Sequence, residues 1–206
     1  MERIAAVYAL IQACLDGDIP LVTQLVRQRG GKGLVNNKSD IHGFTPLFAA
    51  GQGGHDALVR LLLDRGAKIN LANNNGVTPL YVACGQGHES TVLLLLDKGA
   101  KINLAAKDGA TPLLIACKKG HESTVLLLLD RGAKINLARN DGGSPLFIAC
   151  QHGHESTVLL LLDMGAKINL AKKNAWLSKL TSTKMWRLAF RPSGISFSLA
   201  HGNISD

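Results

Sequence analysis

Thiol and imidazole side chains recur at intervals of 33 residues along this 206-residue sequence. The cysteines of this pattern are Cys14, Cys84, Cys117 and Cys150, with Cys14 in an earlier and less regular segment. The histidines are His55, His88, His121 and His154. Thiolate and imidazole groups are preferred ligands of zinc, and a thiol with a lowered pKa is a nucleophile or redox group. The pattern therefore raises metal binding and redox chemistry as first hypotheses.

The regular spacing argues against both kinds of chemistry. A metal centre needs ligands that converge on one point, whereas an array of units spreads them apart. Equivalent helices of stacked units lie about 8–10 Å apart, which exceeds the roughly 7 Å between Cα atoms that a disulfide tolerates. We therefore predict that the cysteines are small buried hydrophobic residues. The histidines are predicted to fasten loops by hydrogen bonds.

No motif of an enzyme stands out. The densest group of potential ligands, Cys150-Gln151-His152-Gly153-His154, resembles half of a zinc site without a second half. The sequence has no phosphate-binding loop, no Gly-x-Ser-x-Gly and no His-Glu-x-x-His, since the recurring His-Glu-Ser-Thr-Val lacks a second histidine. We predict a non-enzymatic protein without metal or cofactor.

The repeat itself predicts the elements that position these side chains. Thr45-Pro46-Leu47 returns as Thr78-Pro79-Leu80, Thr111-Pro112-Leu113 and Ser144-Pro145-Leu146. The hydroxyl residue suits a helix N-cap, and the proline suits the first helical position. After a short apolar helix come a glycine, a second helix from about His88 to Lys98, and Gly99 as a C-terminal cap. A polar loop or hairpin turn leads to the next unit, and such a period predicts a stacked array.

These motifs resemble the ankyrin repeat in four segments: Gly-x-Thr-Pro-Leu, the alanine of the first helix, Gly-His before the second helix, and Gly-Ala-Lys-Ile-Asn after it. The resemblance implies an all-α ankyrin-repeat solenoid of stacked helix-turn-helix units with protruding hairpin loops. The predicted units are an atypical 4–40 and then 41–73, 74–106, 107–139 and 140–172. They form a repeat domain of residues 1–172, which residues 173–206 follow.

One position departs from the family pattern. The residue after Thr-Pro-Leu, usually histidine in the family, is Phe48, Tyr81, Leu114 or Phe147. We expect this exchange to replace a polar contact by apolar surface without threatening the fold.

Three columns of residues recur once per unit. The lysines Lys68, Lys101, Lys134 and Lys167 repel one another by only ~0.4 kcal/mol at ~10 Å in water, and we expect them to form a solvated edge. The asparagines Asn70, Asn103, Asn136 and Asn169 are expected to tie adjacent loops together, as the resemblance implies. The leucines Leu93, Leu126 and Leu159 should face solvent as an apolar stripe. Isolated surface leucines are common, and weak self-association or docking of the C-terminal segment is the lesser alternative.

Composition limits the classes of partner. Hydrophobic residues make up 46% and charged residues 18%, which is typical of a globular protein. The net charge of +8 is uneven, because residues 1–171 carry 17 basic and 14 acidic side chains while residues 172–206 carry six and one. A uniformly basic, nucleic-acid-binding body is therefore not indicated. No apolar run approaches the ~20 residues that span a bilayer, and we expect an intracellular, cytoplasmic protein.

Residues that differ between near-identical units carry the information for specificity. They cluster at the loop tips, after the loop glycine, and at the end of the first helix. The resemblance implies that they line a concave groove for protein recognition, anchored by Phe44, Tyr81, Lys118 and Lys119. The candidate protein-binding residues are Ile41, His42, Phe44, Gln52, Asn74, Asn75, Val77, Tyr81, Gln86, Lys107, Asp108, Lys118, Lys119, Asn140, Asp141, Gln151 and His152. Neutral drift between duplicated copies is the alternative for each of them.

The repeat stops at residue 173, and three interpretations of residues 173–206 stay open. The first is a cap on the last unit, built from Trp176, Leu177, Leu180, Met185 and Leu188. The second is an altered exon or reading frame. The third is a basic segment that binds nucleic acid or an anionic membrane surface through residues 172–191. The third is the alternative to our main prediction, a monomeric scaffold for protein–protein interaction.

Overall fold

The computed structural model describes residues 2–27, 33–39 and 41–167, and these residues form ten helices and no strand. The helices are α1 (Glu2–Asp16), α2 (Ile19–Arg27), α3 (Pro46–Gly53), α4 (Asp56–Asp64), α5 (Pro79–Gln86), α6 (Glu89–Asp97), α7 (Pro112–Lys119), α8 (Glu122–Asp130), α9 (Pro145–His152) and α10 (Glu155–Asp163). The all-α prediction is confirmed.

The first helix of each regular pair begins and ends where the local sequence requires. The Thr78 hydroxyl accepts a hydrogen bond from the Tyr81 N–H at 3.1 Å, and Pro79 occupies the first turn. The Thr78 hydroxyl thus gives a partner to one of the N–H groups that have none within the first turn. Proline has no N–H group, so its position in this turn leaves no donor unpaired. Gly87 caps the end of the helix with a φ of 76°, which is a left-handed conformation. Glycine adopts this conformation at little energetic cost because it has no Cβ atom.

The second helices are amphipathic and bury one side. In α6 the side chains of Val92 and Leu95 are fully buried, while Glu89 and Asp97 are exposed. The acidic residue in the first turn interacts favourably with the helix dipole. Burial of aliphatic side chains stabilises such a helix by ~1.5–3 kcal/mol for each side chain that is fully buried.

The helix pairs stack into two layers. The first helices α1, α3, α5, α7 and α9 contact one another in sequence, and the second helices α2, α4, α6, α8 and α10 form a parallel row behind them. One continuous apolar core runs between the layers from Val7 to Ala166. Because each pair buries its apolar side against the next pair, the architecture is the predicted solenoid.

The cysteines belong to this core. Cys14, Cys84 and Cys117 are buried and Cys150 is half-buried, and all four thiols are free. Burial raises the thiol pKa of Cys14 to about 12 and that of Cys150 to about 11. It also raises the pKa of Cys117 and Cys84. A raised pKa disfavours the reactive thiolate, so the prediction of small hydrophobic residues is confirmed, with Cys150 less enclosed than expected.

The histidines fasten each unit to the preceding one. The Nε2 atom of His88 lies 3.0 Å from the carbonyl oxygen of Gln52, and that of His154 lies 3.0 Å from the oxygen of Lys118. His55 and His121 make the same bond to Leu15 and Gly85. The predicted fastening role is confirmed, but the acceptor is the end of the first helix in the preceding unit rather than a loop.

The asparagine column also links units, as predicted. The Oδ1 atoms of Asn70 and Asn103 accept hydrogen bonds from the backbone N–H groups of Lys101 and Lys134, both at 2.9 Å. Asn136 does the same for Lys167 at 2.8 Å, and Asn169 lies outside the described residues. Asn36 makes the equivalent bond to Lys68 in the irregular first unit, where its side chain also donates to the Gly66 carbonyl.

The remaining columns face solvent. The side chains of Lys68, Lys101, Lys134 and Lys167 are exposed, which confirms the solvated edge. Leu126 and Leu159 are 42% and 38% exposed, whereas Leu93 is half-buried, so the apolar stripe is shorter than expected. Among the described residues, no helix has both the length and the apolar character needed to cross a membrane.

Candidate functional site

All seventeen candidate residues are accessible. Phe44, Gln52, Val77 and Tyr81 are half-buried, and the other thirteen are exposed. Sixteen of them occupy two rows, one in the loops between units and one at the C-terminal ends of α3, α5, α7 and α9, and Tyr81 lies in the first turn of α5. We use the name inner face for these four helices together with the loop tips that precede them.

The loop tips are linked by hydrogen bonds that occupy some candidate residues. The Asn140 backbone N–H donates to the Asp108 carbonyl at 2.9 Å, and its side-chain amide donates to the Lys107 carbonyl at 3.0 Å. Asn74 makes the same pair of contacts with His42 and Ile41, at 3.1 and 3.3 Å. These asparagine amides therefore hold the loops in register.

The tip carboxylates shape their own turns. Oδ1 of Asp108 accepts a hydrogen bond from the Ala110 N–H at 3.0 Å, and Oδ1 of Asp141 accepts one from the Gly143 N–H at 2.9 Å. In the loop before α5, the Oδ1 atom of Asn73 accepts hydrogen bonds from the backbone N–H groups of Asn75 and Val77. A short polar side chain that bonds to the backbone two residues later is a common way to stabilise a turn.

An aromatic row occupies the N-terminal end of the inner face. The rings of Phe44 and Phe48 stack with centroids 4.6 Å apart, and His42 lies 5.2 Å from Phe44. Phe48 is only 4% exposed. The expectation of apolar surface at Phe48 is therefore wrong, because the neighbouring loop places Phe44 over it.

A second apolar cluster lies further along the inner face. Ala110, Leu114 and Ile148 are buried in it, and the rings of Tyr81 and Phe147 pack against its edge. The expectation of apolar surface is therefore wrong for Leu114 as well, because the adjacent unit covers it, and holds for Tyr81 and Phe147, which are half-buried. Burial, and then the charge of Asp108, raise the pKa of Tyr81 to about 12, so its phenol is a neutral hydrogen-bond donor at pH 7.

The charge of Arg139, a residue outside the seventeen candidates, acts on Tyr81 at the edge of this cluster. Its guanidinium forms an ion pair with Asp141, with Nε 3.0 Å from Oδ1. The hydrogen bond that Arg139 donates to Asp141, and the charges of Asp141 and Asp108, raise the pKa of Arg139 above its ordinary value. The sequence alone could have indicated Arg139, because its position varies between units: it is Asn73 and Ala106 in the two preceding ones.

Basic side chains gather at the other end of the inner helices. Lys118 and Lys119 end α7, and His152 ends α9. The pKa of His152 is lowered by burial and then by the charges of Lys118, His154 and Lys119. The inner face therefore combines an apolar centre with a basic side.

The described residues contain no cluster of three or more histidine, cysteine or acidic side chains suited to a metal ion. The ring centroids of His152 and His154 lie 6.3 Å apart, but the nitrogen Nε2 of His154 is engaged by Lys118. The basic residues of the C-terminal alternative, within 172–191, lie outside the described residues.

Stacked helix pairs, a continuous core and hydrogen-bonded loop tips define a helical repeat protein of the solenoid class. The family model of ankyrin repeats, which contains three copies, matches residues 10–106 and 103–172, and the chain belongs to the ankyrin-repeat family. Ankyrin repeats are generally protein–protein interaction modules, and proteins built from them are typically non-enzymatic. A comparison with curated proteins finds no match.

Proposed function

We propose that the chain is a non-enzymatic scaffold that recognises a protein partner through its inner face, as a concave groove bordered by the loop tips. The observation that carries the proposal is the half-buried pair of rings, Tyr81 and Phe147, at the edge of a buried cluster and surrounded by accessible polar residues. Aromatic side chains in a partly enclosed site, with a polar rim, are typical of the residues that dominate binding energy.

The rigidity of the frame supports this proposal. The asparagine bonds between adjacent loop tips leave little backbone freedom there to be lost on binding, and the histidine bonds fix the helices that these loops connect. A pre-organised surface binds more tightly than a mobile one, because ordering a side chain on binding costs ~0.5–1.5 kcal/mol. The repeated frame thus presents variable side chains at low entropic cost.

The experiment is capture of partners from a nuclease-treated lysate with the full chain and with two variants. The inner-face variant carries Phe44→Ala and Tyr81→Ala, and the outer control carries Leu126→Ala and Leu159→Ala, which remove exposed apolar side chains on the second helices. We expect the inner-face variant to lose the retained protein and the control to keep it, with both variants folded by circular dichroism.

Two results would overturn the proposal. The first is retention of the same protein by the inner-face variant at unchanged affinity in a purified binding assay. The second is binding that disappears with added salt and with deletion of residues 173–206 only, which would support nucleic acid or an anionic surface as the ligand.

A further inference from the structure

Three basic side chains form a cluster at the ends of two adjacent inner helices. Lys118 and Lys119 are the last residues of α7, and His152 is the last residue of α9. The bond from His154 to the Lys118 carbonyl, 3.0 Å long, holds the ends of the two helices side by side. We call Lys118, Lys119 and His152 the basic cluster, and all three side chains are exposed.

The basic cluster has no counter-ion in the described part of the chain. The ion pairs there are Arg131 with Asp97 and Arg139 with Asp141. The nearest carboxylates along the chain, Glu122 and Glu155, begin α8 and α10 and make no ion pair with either lysine. Since grouping the like charges of Lys118 and Lys119 costs free energy, an anion at this position would relieve their repulsion, with His152 beside them as a hydrogen-bonding side chain.

Stability of the helix does not account for the two lysines. Cations near a helix C-terminus interact favourably with the helix dipole. However, α3 and α5 have the same length and the same left-handed glycine cap, and neither has a basic residue in its last turn. The charges of α7 are therefore not needed to form a helix of this kind.

The basic cluster lies beside the apolar centre of the inner face. Lys118 follows Leu114 by four residues on α7, so the two share a helix face one turn apart. Leu114 is the buried residue against which Tyr81 and Phe147 pack. A ligand at the basic cluster would therefore reach both positive charge and aromatic surface.

Charge at equivalent positions changes along the inner face. The position of Lys119 is occupied by Gln86 in α5 and by Asp16 in α1, which ends the first helix of the chain. An anionic ligand is thus favoured at the end of the inner face formed by α7 and α9, and disfavoured at the end formed by α1.

We propose that the basic cluster binds an acidic peptide segment of a protein partner, with an apolar side chain of that segment against Tyr81 and Phe147. This inference rests on the proposed function, because it names the chemistry of the partner for the same surface. A peptide fits better than a nucleic acid because the carboxylate of Asp108 lies at a loop tip of the same face, and that of Asp16 lies at the end of α1. A phosphate backbone carries negative charge at every step and would meet these carboxylates, whereas a peptide can carry its charges locally.

The test measures fluorescence anisotropy of a labelled glutamate-rich peptide with one central leucine, titrated with the full chain. The variant is Lys118→Gln with Lys119→Gln, since glutamine already occurs at the equivalent positions Gln52 and Gln86. The matched control is Lys101→Gln with Lys134→Gln, which removes the same charge from the solvated edge. We expect about tenfold weaker binding in the variant and less than about a twofold change in the control.

Four results would overturn the proposal. Equal weakening in the variant and the control would show only general attraction to a basic protein, and unchanged binding in the variant would place the peptide elsewhere. Equal affinity for a peptide with glutamine in place of glutamate would exclude charge recognition. The last result is tighter binding of oligothymidylate, or of vesicles of phosphatidylcholine and phosphatidylserine, that the variant loses. It would show that the ligand is a nucleic acid or a membrane surface rather than an acidic peptide.

The two proposals fail in distinguishable ways. If binding of a captured protein requires Phe44 and Tyr81 but not Lys118 and Lys119, the proposed function stands. The proposal that the partner carries an acidic segment then fails. Loss of the inner face as a binding surface would instead appear as unchanged capture by the Phe44→Ala, Tyr81→Ala variant.

Discussion

The Nε2 atom of His121 lies 3.1 Å from the carbonyl oxygen of Gly85 in the preceding unit. A carbonyl can only accept, so the histidine must carry its proton on Nε2 to donate this bond. The same ring lies against Gly87, where the helix α5 ends. Each histidine therefore needs both an acceptor at the helix end and a glycine without a side chain beside it.

This arrangement predicts different costs for two glycines with the same backbone conformation. A Cβ at Gly87 would lie 2.8 Å from the Nδ1 atom of His121, whereas a Cβ at Gly153 would have no atom of the described residues within 4 Å. Their φ angles are 76° and 78°. Gly153→Ala should cost only the left-handed strain, ~1–2 kcal/mol, and Gly87→Ala a further ~1–3 kcal/mol for overlap with the ring.

The measurement for this pair is urea unfolding of the full chain followed by far-ultraviolet circular dichroism. The difference between the two variants isolates the contact with the histidine, because both lose the same glycine conformation. Equal losses of stability would show that the ring moves aside at no cost.

A substitution in the first turn of α6 should stabilise the protein. The Thr91 hydroxyl donates to Oδ1 of Asp56 in the preceding unit, but the equivalent hydroxyl of Thr124 is buried and has no hydrogen-bond partner among the described residues. For Thr124, the residue of the preceding unit that corresponds to Asp56 is Glu89. Glu89→Asp places a shorter carboxylate opposite Thr124 and should raise the free energy of unfolding by ~0.5–1.5 kcal/mol.

The matched control for this change is Glu155→Asp, which alters the same position in α10. Both variants keep an acidic residue in the first helical turn, so the interaction with the helix dipole is unchanged. A gain in the midpoint of urea unfolding for Glu89→Asp alone is expected, and a loss would show that the longer glutamate is better accommodated.

Thiol reactivity should follow burial. Burial raises the pKa of Cys150 to about 11 and that of Cys14 to about 12, and a raised pKa lowers the thiolate fraction at neutral pH. Cys150 is also the half-buried thiol of the four. Iodoacetamide labelling at pH 8, followed by peptide mass spectrometry, should modify Cys150 first, and the order should vanish in denaturant.

Arg139 should matter for binding more than for stability. Its ion pair with Asp141 is partly exposed, and exposed pairs contribute only ~0–1 kcal/mol. Arg131 forms a comparable pair with Asp97 at the ends of the second helices. Arg139→Gln and Arg131→Gln should therefore unfold at nearly the same denaturant concentration, while only Arg139→Gln weakens binding of a captured partner.

A purified binding assay by calorimetry would separate these two arginine variants. Equal affinities would remove Arg139 from the binding surface and leave it as a support for the turn around Asp141. A large loss of stability in Arg139→Gln would show that its ion pair with Asp141 stabilises the fold.

Much of the fold could be predicted from the sequence because its determinants are local. A hydroxyl residue before a proline starts α5, and Gly87 ends it, within one short segment. The interval of 33 residues then repeats the same local decisions. The fastening roles of His121 and Asn103 were also predictable, since each recurs at one position of every regular unit.

The composition of the inner face depended on contacts between units, which no local pattern encodes. Leu114 packs with Ile148 of the next unit, which buries it, whereas Phe48 is covered by Phe44 from the preceding loop of its own unit. Arg139 pairs with Asp141 two residues away, but the charge of Asp108, a residue 31 positions earlier, acts on it only because adjacent loops lie side by side. Local capping and periodicity therefore determine the helices and their stacking. The exposure and charge environment of each variable side chain come from the neighbouring unit, because burial and Coulomb interactions depend on distance in space rather than along the chain.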